Sequence, residues 1–326
     1  MCRQFQFLGS LGLFVLAINA FAQTGPTVVD VAYARNVPYV APGQIVRLHV
    51  TALKAIPALS GDVFLKATST PLPTTLGGIS VVIRQYHGRY LSDPLTLVGT
   101  FNAPFLSISQ ANLCFTSTGP DCIMTFLTVQ IPYDLGYGND GRYVTEIAIS
   151  QNGVESQSFT VATAGLLVHV VNTGDSREDV PAPLSGPNLS PGESVVAHAD
   201  GTPVSASAPA SPDEVVVIYA WGLGNTTPAV RAGDVTPTPA PVVSGGIGIR
   251  FDFRPNAGAT SLLEAQALAP AYLTPGQVGL YQVNVRLPSA FPAVQSCGGN
   301  VQSNLTITLS SSWSSDGAAI CVQPPE

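Results

Sequence analysis

Short runs in which apolar and polar residues alternate are the feature that most constrains this chain. The clearest is VGLYQVNVRLP, at residues 278–288. A two-residue period is that of a β-strand with one buried face. The run therefore predicts a core strand that buries Tyr281, Val283, Val285 and Leu287.

Similar runs recur along the chain, separated by Pro, Gly, Asn and Asp, at residues 44–53, 78–84, 126–132, 143–150, 214–223 and 305–309. No segment of twelve or more residues has a 3.6-residue apolar period with caps. Charged residues make up only 10% of the chain, whereas amphipathic surface helices need Lys, Glu and Arg. The pattern predicts an all-β protein built of antiparallel sandwiches.

The order of these runs repeats in the two halves. APGQIVRLHVTAL at 41–53 corresponds to SPDEVVVIYAWGL at 211–223, and GGISVVIR at 77–84 to GGIGIRFDF at 245–253. VQIP at 129–132 corresponds to VRLP at 285–288. Two β-sandwiches in tandem are therefore predicted.

The predicted boundaries are a first sandwich at 23–163 and a second at 211–326. The first carries a cysteine-bearing insertion. A Pro-rich spacer at 164–210 joins them, with a hairpin predicted at Asp200-Gly201.

Residues 1–22 have the form of a signal peptide. Arg3 precedes an apolar run that ends in Ala20-Phe21-Ala22, which has the small-x-small form of a cleavage site. The run is shorter than the roughly 20 apolar residues that span a membrane. We expect cleavage after Ala22 and a protein that is secreted, periplasmic or on the cell surface, with no membrane insertion of the mature chain.

Four cysteines follow the predicted cleavage site, and an even number in an exported chain favours disulfides. Three pairings are open; we predict the local ones, Cys114–Cys122 and Cys297–Cys321. A zinc site is the alternative, but no cysteine has another Cys or a His within four residues.

Catalytic and nucleotide-binding motifs are missing from the sequence. It contains no G-x-S-x-G, H-E-x-x-H or G-x-x-x-x-G-K-[ST], and its four histidines, at 49, 87, 169 and 198, are far apart. The acidic loops 137–143 and 172–179 have too few oxygen ligands for calcium and are interpreted as turns. The net charge of −7 disfavours nucleic acid. We predict no catalytic residues, cofactor or metal, and keep a hydrolase with a dispersed site as a remote alternative.

Several tyrosines are candidates for a sugar-binding platform, because aromatic rings stack on sugar faces. They are Tyr86, Tyr90, Tyr133, Tyr137 and Tyr143. The alternative is that these rings pack at strand ends with only the hydroxyl in water. Exposed tyrosines would favour sugar binding, and buried ones would oppose it.

A longer pattern brings a family resemblance. VVVIYAWGLGNTTPAVRAGDVTP, followed by GLYQVNVRLP, resembles the Solibacter-type uncharacterised C-terminal domain family, whose members are bacterial extracellular segments similar in style to IPT/TIG domains. The resemblance covers residues 28–308. The chain departs from it in the insertion near 87–125, in Trp221 and in the disulfide-tied end.

The resemblance implies two immunoglobulin-like β-sandwiches and brings no catalytic residues. We expect a non-catalytic structural or interaction module outside the cytoplasm, with a protein or polysaccharide partner. A carbohydrate-binding module is the alternative.

Overall fold

The computed structural model describes residues 26–32, 39–54, 56, 64–89, 93–112, 122–138, 142–175, 193–244, 246–260 and 265–325. These residues are all-β and contain no helix. Among them there is accordingly no helical segment with the length and apolar character needed to cross a membrane. The predicted signal peptide lies outside the described residues.

The described residues of the first half form eleven strands: β1 (Thr27–Ala32), β2 (Tyr39–Val40), β3 (Ile45–Thr51), β4 (Phe64–Lys66), β5 (Ile79–Gly88), β6 (Thr96–Asn102), β7 (Phe105–Asn112), β8 (Ile123–Gln130), β9 (Arg142–Gln151), β10 (Val154–Glu155) and β11 (Phe159–Thr163). Eleven follow in the second: β12 (His169–Val170), β13 (Val196–Ala197), β14 (Val215–Trp221), β15 (Thr226–Thr227), β16 (Val242–Val243), β17 (Ile247–Asp252), β18 (Ala267–Ala269), β19 (Ala271–Leu273), β20 (Tyr281–Arg286), β21 (Leu305–Ser310) and β22 (Ser315–Ile320). All six further runs that the alternation singled out contain a strand.

The strands form four sheets. The first has the order β1-β3-β8-β7-β4, and the second has the order β2-β11-β9-β5-β6, with β10 beside β9. The third has the order β12-β14-β20-β19-β16-β15, with β13 also on β14, and the fourth has the order β18-β17-β21-β22. Strands β2 and β11 pair in parallel, whereas the other named strand pairs are antiparallel.

The repeat seen in the sequence has a structural counterpart. β3 pairs with β8 in the first sheet as β14 pairs with β20 in the third. β5 pairs with β9 in the second sheet as β17 pairs with β21 in the fourth. The corresponding sequence runs therefore occupy corresponding places in the two halves.

The repeat extends to single hydrogen bonds at the turn before β3 and before β14. The Ala41 N–H donates to Gln44 Oε1 at 2.9 Å, and the Ser211 N–H donates to Glu214 Oε2 at 2.8 Å. Gly43 and Asp213, at corresponding positions, both have a positive φ, of 72° and 61°. The two turns thus share backbone geometry and a side-chain cap.

Each half has its own core. Buried side chains of the first and second sheets form one apolar cluster, and those of the third and fourth sheets form another. We call the two halves the N-terminal and C-terminal sheet pairs. In the second cluster, the four predicted side chains of residues 278–288 are buried, which confirms the predicted core face: Tyr281, Val283, Val285 and Leu287.

Strand β21 departs from alternation because loop 257–260 covers its second face. The Thr306 hydroxyl donates to the Ala257 carbonyl at 2.6 Å, and the Thr260 N–H donates to Thr308 Oγ1 at 3.1 Å. Both threonines of β21 are buried as a result.

The described parts of 164–210 contribute strands to the third sheet, since β12 and β13 both pair with β14. A tight turn forms at Asp200-Gly201, where the His198 N–H donates to the Thr202 carbonyl at 2.8 Å. Residues 176–192, which hold much of the predicted spacer, lie outside the described residues.

A disulfide joins Cys297 to Cys321, with the Cα atoms 5.9 Å apart. It links the residue that follows β22 to the loop that precedes β21. Cys114 lies outside the described residues, so its pairing with Cys122 stays a prediction.

Candidate functional site

A buried contact, which we call the seam, joins the two sheet pairs. Its apolar part combines Ile45 and Leu106 of the N-terminal sheet pair with five residues of the C-terminal one: Val171, Val195, Tyr219, Trp221 and Leu280. Trp221, expected to pack at a strand end, is only 1% exposed. Its indole stacks on the His169 ring at 5.5 Å.

A polar network completes the seam and depends on Gln130, the last residue of β8. Its Nε2 donates to the Gly43 carbonyl at 3.3 Å, within the N-terminal sheet pair. Its Oε1 accepts a hydrogen bond of 2.6 Å from the Gly233 N–H of the C-terminal sheet pair. A fully buried amide therefore bridges the two halves.

Two tyrosine hydroxyls meet in the same network. The Tyr281 hydroxyl donates to the Gly224 carbonyl at 2.5 Å and lies 3.4 Å from the Tyr133 hydroxyl. Burial raises the pKa of Tyr133 to about 12, although its hydrogen bonds with Tyr281 and Gln130 act in the opposite direction. Burial also raises the pKa of Tyr281 well above its usual value. Both phenols are held neutral in the seam.

The backbones of the two halves also approach closely at the seam. The Leu72 N–H donates to the Gly233 carbonyl at 2.8 Å. A Cβ placed on Gly279 would lie 2.7 Å from Gln130 Nε2 and 2.8 Å from Ile45 Cδ1. A side chain at this position would be strained by the φ of +64° and would displace the ends of the Gln130 and Ile45 side chains.

The candidate tyrosines have different surroundings. Tyr133 is 8% exposed in the seam, where its hydroxyl meets that of Tyr281 across the contact between the two halves. Tyr86 and Tyr143 are half-buried, and Tyr143 packs on His87 at 4.6 Å. Tyr90 lies outside the described residues. Tyr137 is 37% exposed, and its ring lies at the surface.

A fixed backbone carries Tyr137. The preceding residue, Gly136, is bonded at both ends by the buried Gln85 side chain: its N–H donates to Gln85 Oε1 at 2.7 Å, and its carbonyl accepts from Gln85 Nε2 at 3.0 Å. The same Nε2 also donates to Thr145 Oγ1 at 3.0 Å. The β8–β9 loop is thereby anchored to the second sheet.

Trp313 is an exposed aromatic residue that the sequence interpretation missed. It lies in the turn between β21 and β22 and is 44% exposed. Both Tyr137 and Trp313 border Gly165: a Cβ there would lie 2.8 Å from Tyr137 Cε2 and 3.6 Å from Trp313 Nε1. The sequence did contain an indication of it: Trp313 stands in the Ser-rich stretch LSSSWSSDG, which has no alternating apolar pattern that would place the ring in a core.

The described histidines face acids and aromatic rings. His169 Nε2 lies 3.0 Å from Asp175 Oδ2, and its Nδ1 lies 3.6 Å from Asp316 Oδ2. His198 bonds Glu214 through Nδ1 and the Ala208 carbonyl through Nε2 at 3.1 Å. These contacts tie β12 and β13 to neighbouring segments.

The described part of the acidic loop 172–179 forms a side-chain-capped turn. The Gly174 N–H donates to Asn172 Oδ1 at 2.8 Å, and Asp175 accepts from the Asn172 N–H at 2.9 Å. Within the described ranges, no group of three or more His, Cys, Asp or Glu residues could hold a metal ion.

Comparison with known proteins adds no relative. No family model matches the chain, and no curated protein matches it. The resemblance to the Solibacter-type family thus stays a prediction.

Proposed function

We propose that the two sheet pairs are immunoglobulin-like β-sandwiches in tandem, and that the protein is a secreted, non-catalytic interaction module of the bacterial exterior. Removal of residues 1–22 would start the mature chain at Gln23. The partner is a protein or polysaccharide outside the cytoplasm.

The observation that carries this proposal is the seam. It brings the β8–β9 loop of one half beside the β21–β22 turn of the other, where both contact Gly165. Loops held in this way form one composite surface with a fixed shape. A preorganised surface binds a partner without the entropic cost of ordering separate domains.

A carbohydrate-binding module is the second candidate. The two exposed rings of Tyr137 and Trp313 favour it, because a flat aromatic surface suits a sugar ring.

The test is a binding screen of the mature protein from Gln23. Immobilised protein is presented with a polysaccharide array and with extracellular proteins of the producing bacterium. Saturable binding to one partner is the expected result. A protein that is folded by circular dichroism yet binds neither class saturably contradicts the proposal.

A further inference from the structure

We infer that Tyr137, Gly165 and Trp313 form a binding site for a neutral polysaccharide, which stacks its sugar rings on the two aromatic side chains across the seam. This inference rests on the proposed function and names its ligand class. The site combines a residue from each sheet pair with a glycine of the segment between them.

Gly165 is buried beside the two rings, and its lack of a side chain is what lets the Tyr137 ring lie so close to the backbone. A Cβ there would enter the Tyr137 ring, at 2.8 Å from Cε2 and 3.0 Å from Cδ2. The same position is 3.6 Å from Trp313 Nε1, so Tyr137 Cε2 and Trp313 Nε1 are at most about 6.4 Å apart. That spacing lets one short stretch of a glycan chain contact both rings.

Hydrogen bonds fix the turn that carries Trp313. The Ser311 Oγ accepts from the Trp313 N–H at 3.0 Å and from the Ser314 N–H at 3.1 Å. The Ser314 Oγ accepts from the Val168 N–H at 2.7 Å, which ties the turn to the segment that contains Gly165. Since Gln85 holds the backbone at Gly136, hydrogen bonds restrain the backbone that carries each ring before a ligand arrives.

The chemistry of the two rings selects a sugar. Both side chains are partly exposed, and in the described part of the chain neither the indole N–H nor the Tyr137 hydroxyl is used in a hydrogen bond. A pyranose ring offers the complement: C–H bonds on its face and hydroxyls around its edge. Aromatic residues of this amphipathic kind suit a ligand that is apolar on one side and wet on the other.

The charge of the chain selects a neutral sugar. The chain has 20 acidic residues against 13 basic ones, a net charge of −7. Asp134 lies three residues from Tyr137, and Asp316 three residues from Trp313. Repulsion therefore disfavours uronate-rich and sulfated polymers.

The experiment measures affinity for soluble neutral polysaccharides (a mixed-linkage β-glucan, a xylan and a galactomannan), with alginate as the anionic comparison. Native protein, Y137A, W313A and F64A are compared by calorimetry and affinity electrophoresis. Phe64 is the matched control, because it is also an exposed aromatic residue, at 42%, on β4 at the far edge of the first sheet. Thermal unfolding checks that each variant folds.

The expected result is saturable binding of native protein to a neutral polymer. We expect a loss of at least about tenfold in Y137A and in W313A, and native affinity in F64A. Y137F and W313F, which keep a ring, should retain more affinity than the alanine variants. A merely structural role of the two residues would not show this dependence on the ring.

Other outcomes separate this inference from the proposed function. Polysaccharide binding that persists unchanged in Y137A and W313A overturns the site. Absence of polysaccharide binding together with saturable capture of an extracellular protein overturns the ligand class and leaves the proposed function standing. Saturable binding to neither overturns both.

Discussion

Single buried polar side chains carry much of the contact between the two halves. Tyr133 and Tyr281 place their hydroxyls together in the seam, where burial would deprive an ionised phenol of its hydration. Both positions therefore respond to alkaline pH in a way that a surface tyrosine does not.

The first prediction concerns this pH dependence. An unfolded tyrosine loses its proton near pH 10, whereas folded Tyr133 keeps it to about pH 12. The raised pKa contributes stability that is fully present below pH 10 and is lost as the pH rises towards 12. Tyr133 alone should lower the free energy of unfolding in urea by about 2 to 3 kcal/mol over this range, and Tyr281 adds to the fall.

The free energy of unfolding of the Y133F,Y281F variant should fall clearly less over this pH range than that of native protein. Y137F, which removes an exposed hydroxyl, should behave like native protein. If the free energy of unfolding of native protein stays constant from pH 9 to pH 11.5, the pKa values of the buried phenols are not raised by folding.

The second prediction concerns Gly279. Its φ is +64°, and an added Cβ would meet Gln130 and Ile45 across the seam at under 3 Å. G279A should lower the free energy of unfolding by about 2 kcal/mol or more, since backbone strain and overpacking both act.

Gly276 is the matched control for Gly279. Its φ is +77°, and nothing lies within 4 Å of an added Cβ, so G276A tests strain alone at about 1 kcal/mol. Equal losses in G279A and G276A, measured by urea unfolding, would argue against a tight seam.

At the scale of the elements, a two-residue apolar period or β-branched content located part of the strands. The runs that alternation or β-branched content marked overlap strands β3, β5, β8, β9, β14, β20 and β21. The two-residue period locates strands because alternate side chains of a strand point into the core and are apolar.

The seam could not be predicted in the same way. Gln130 occupies a position that alternation assigns to solvent, and it is buried only because the other half covers it. Tyr133 likewise resembles any tyrosine after a strand-ending proline. Burial caused by a distant part of the chain leaves no local pattern.

The candidate binding site illustrates the same limit. Tyr137 was among the predicted aromatics, but its neighbour Trp313 lies 176 positions away in a Ser-rich turn. The two meet only through the packing of the halves against Gly165. Sequence reasoning therefore found one half of the site.

The third prediction concerns the end of the fourth sheet. The Cys297–Cys321 disulfide closes a loop with a sequence separation of 24, so it restricts the unfolded chain. C297A,C321A should lower the free energy of unfolding by roughly 3 kcal/mol. Urea unfolding of the variant, compared with native protein with and without reductant, measures the loss. A variant as stable as oxidised native protein would contradict a stabilising role.

At the scale of the whole molecule, two cores are coupled through one buried contact. The fourth prediction is that native protein unfolds in a single calorimetric transition, and that Q130A separates it into two. Removal of the Gln130 side chain leaves the buried Gly233 N–H without its acceptor, at a cost of about 1 to 3 kcal/mol.

Gln85 provides the matched comparison, because it is also a fully buried glutamine but bonds only within the N-terminal sheet pair. Q85A should lower stability without separating the transitions as Q130A does. Two transitions already present in native protein would mean that the seam does not couple the halves.

The repeat of the turn before β3 and β14 has a consequence for self-assembly. Gln130 and Arg286 occupy the same place in the two copies, and each donates to the carbonyl at the corresponding turn, of Gly43 and of Asp213. Gln130 is covered by the next copy, whereas Arg286 stays in water, paired with the Asp213 carboxylate at 3.2 Å. Head-to-tail contacts between like units can be repeated without limit unless the last unit has no surface that binds another unit. The charged, hydrated Arg286 disfavours such a contact at the C-terminal copy, because burial of its turn against another unit would require desolvation of the guanidinium group.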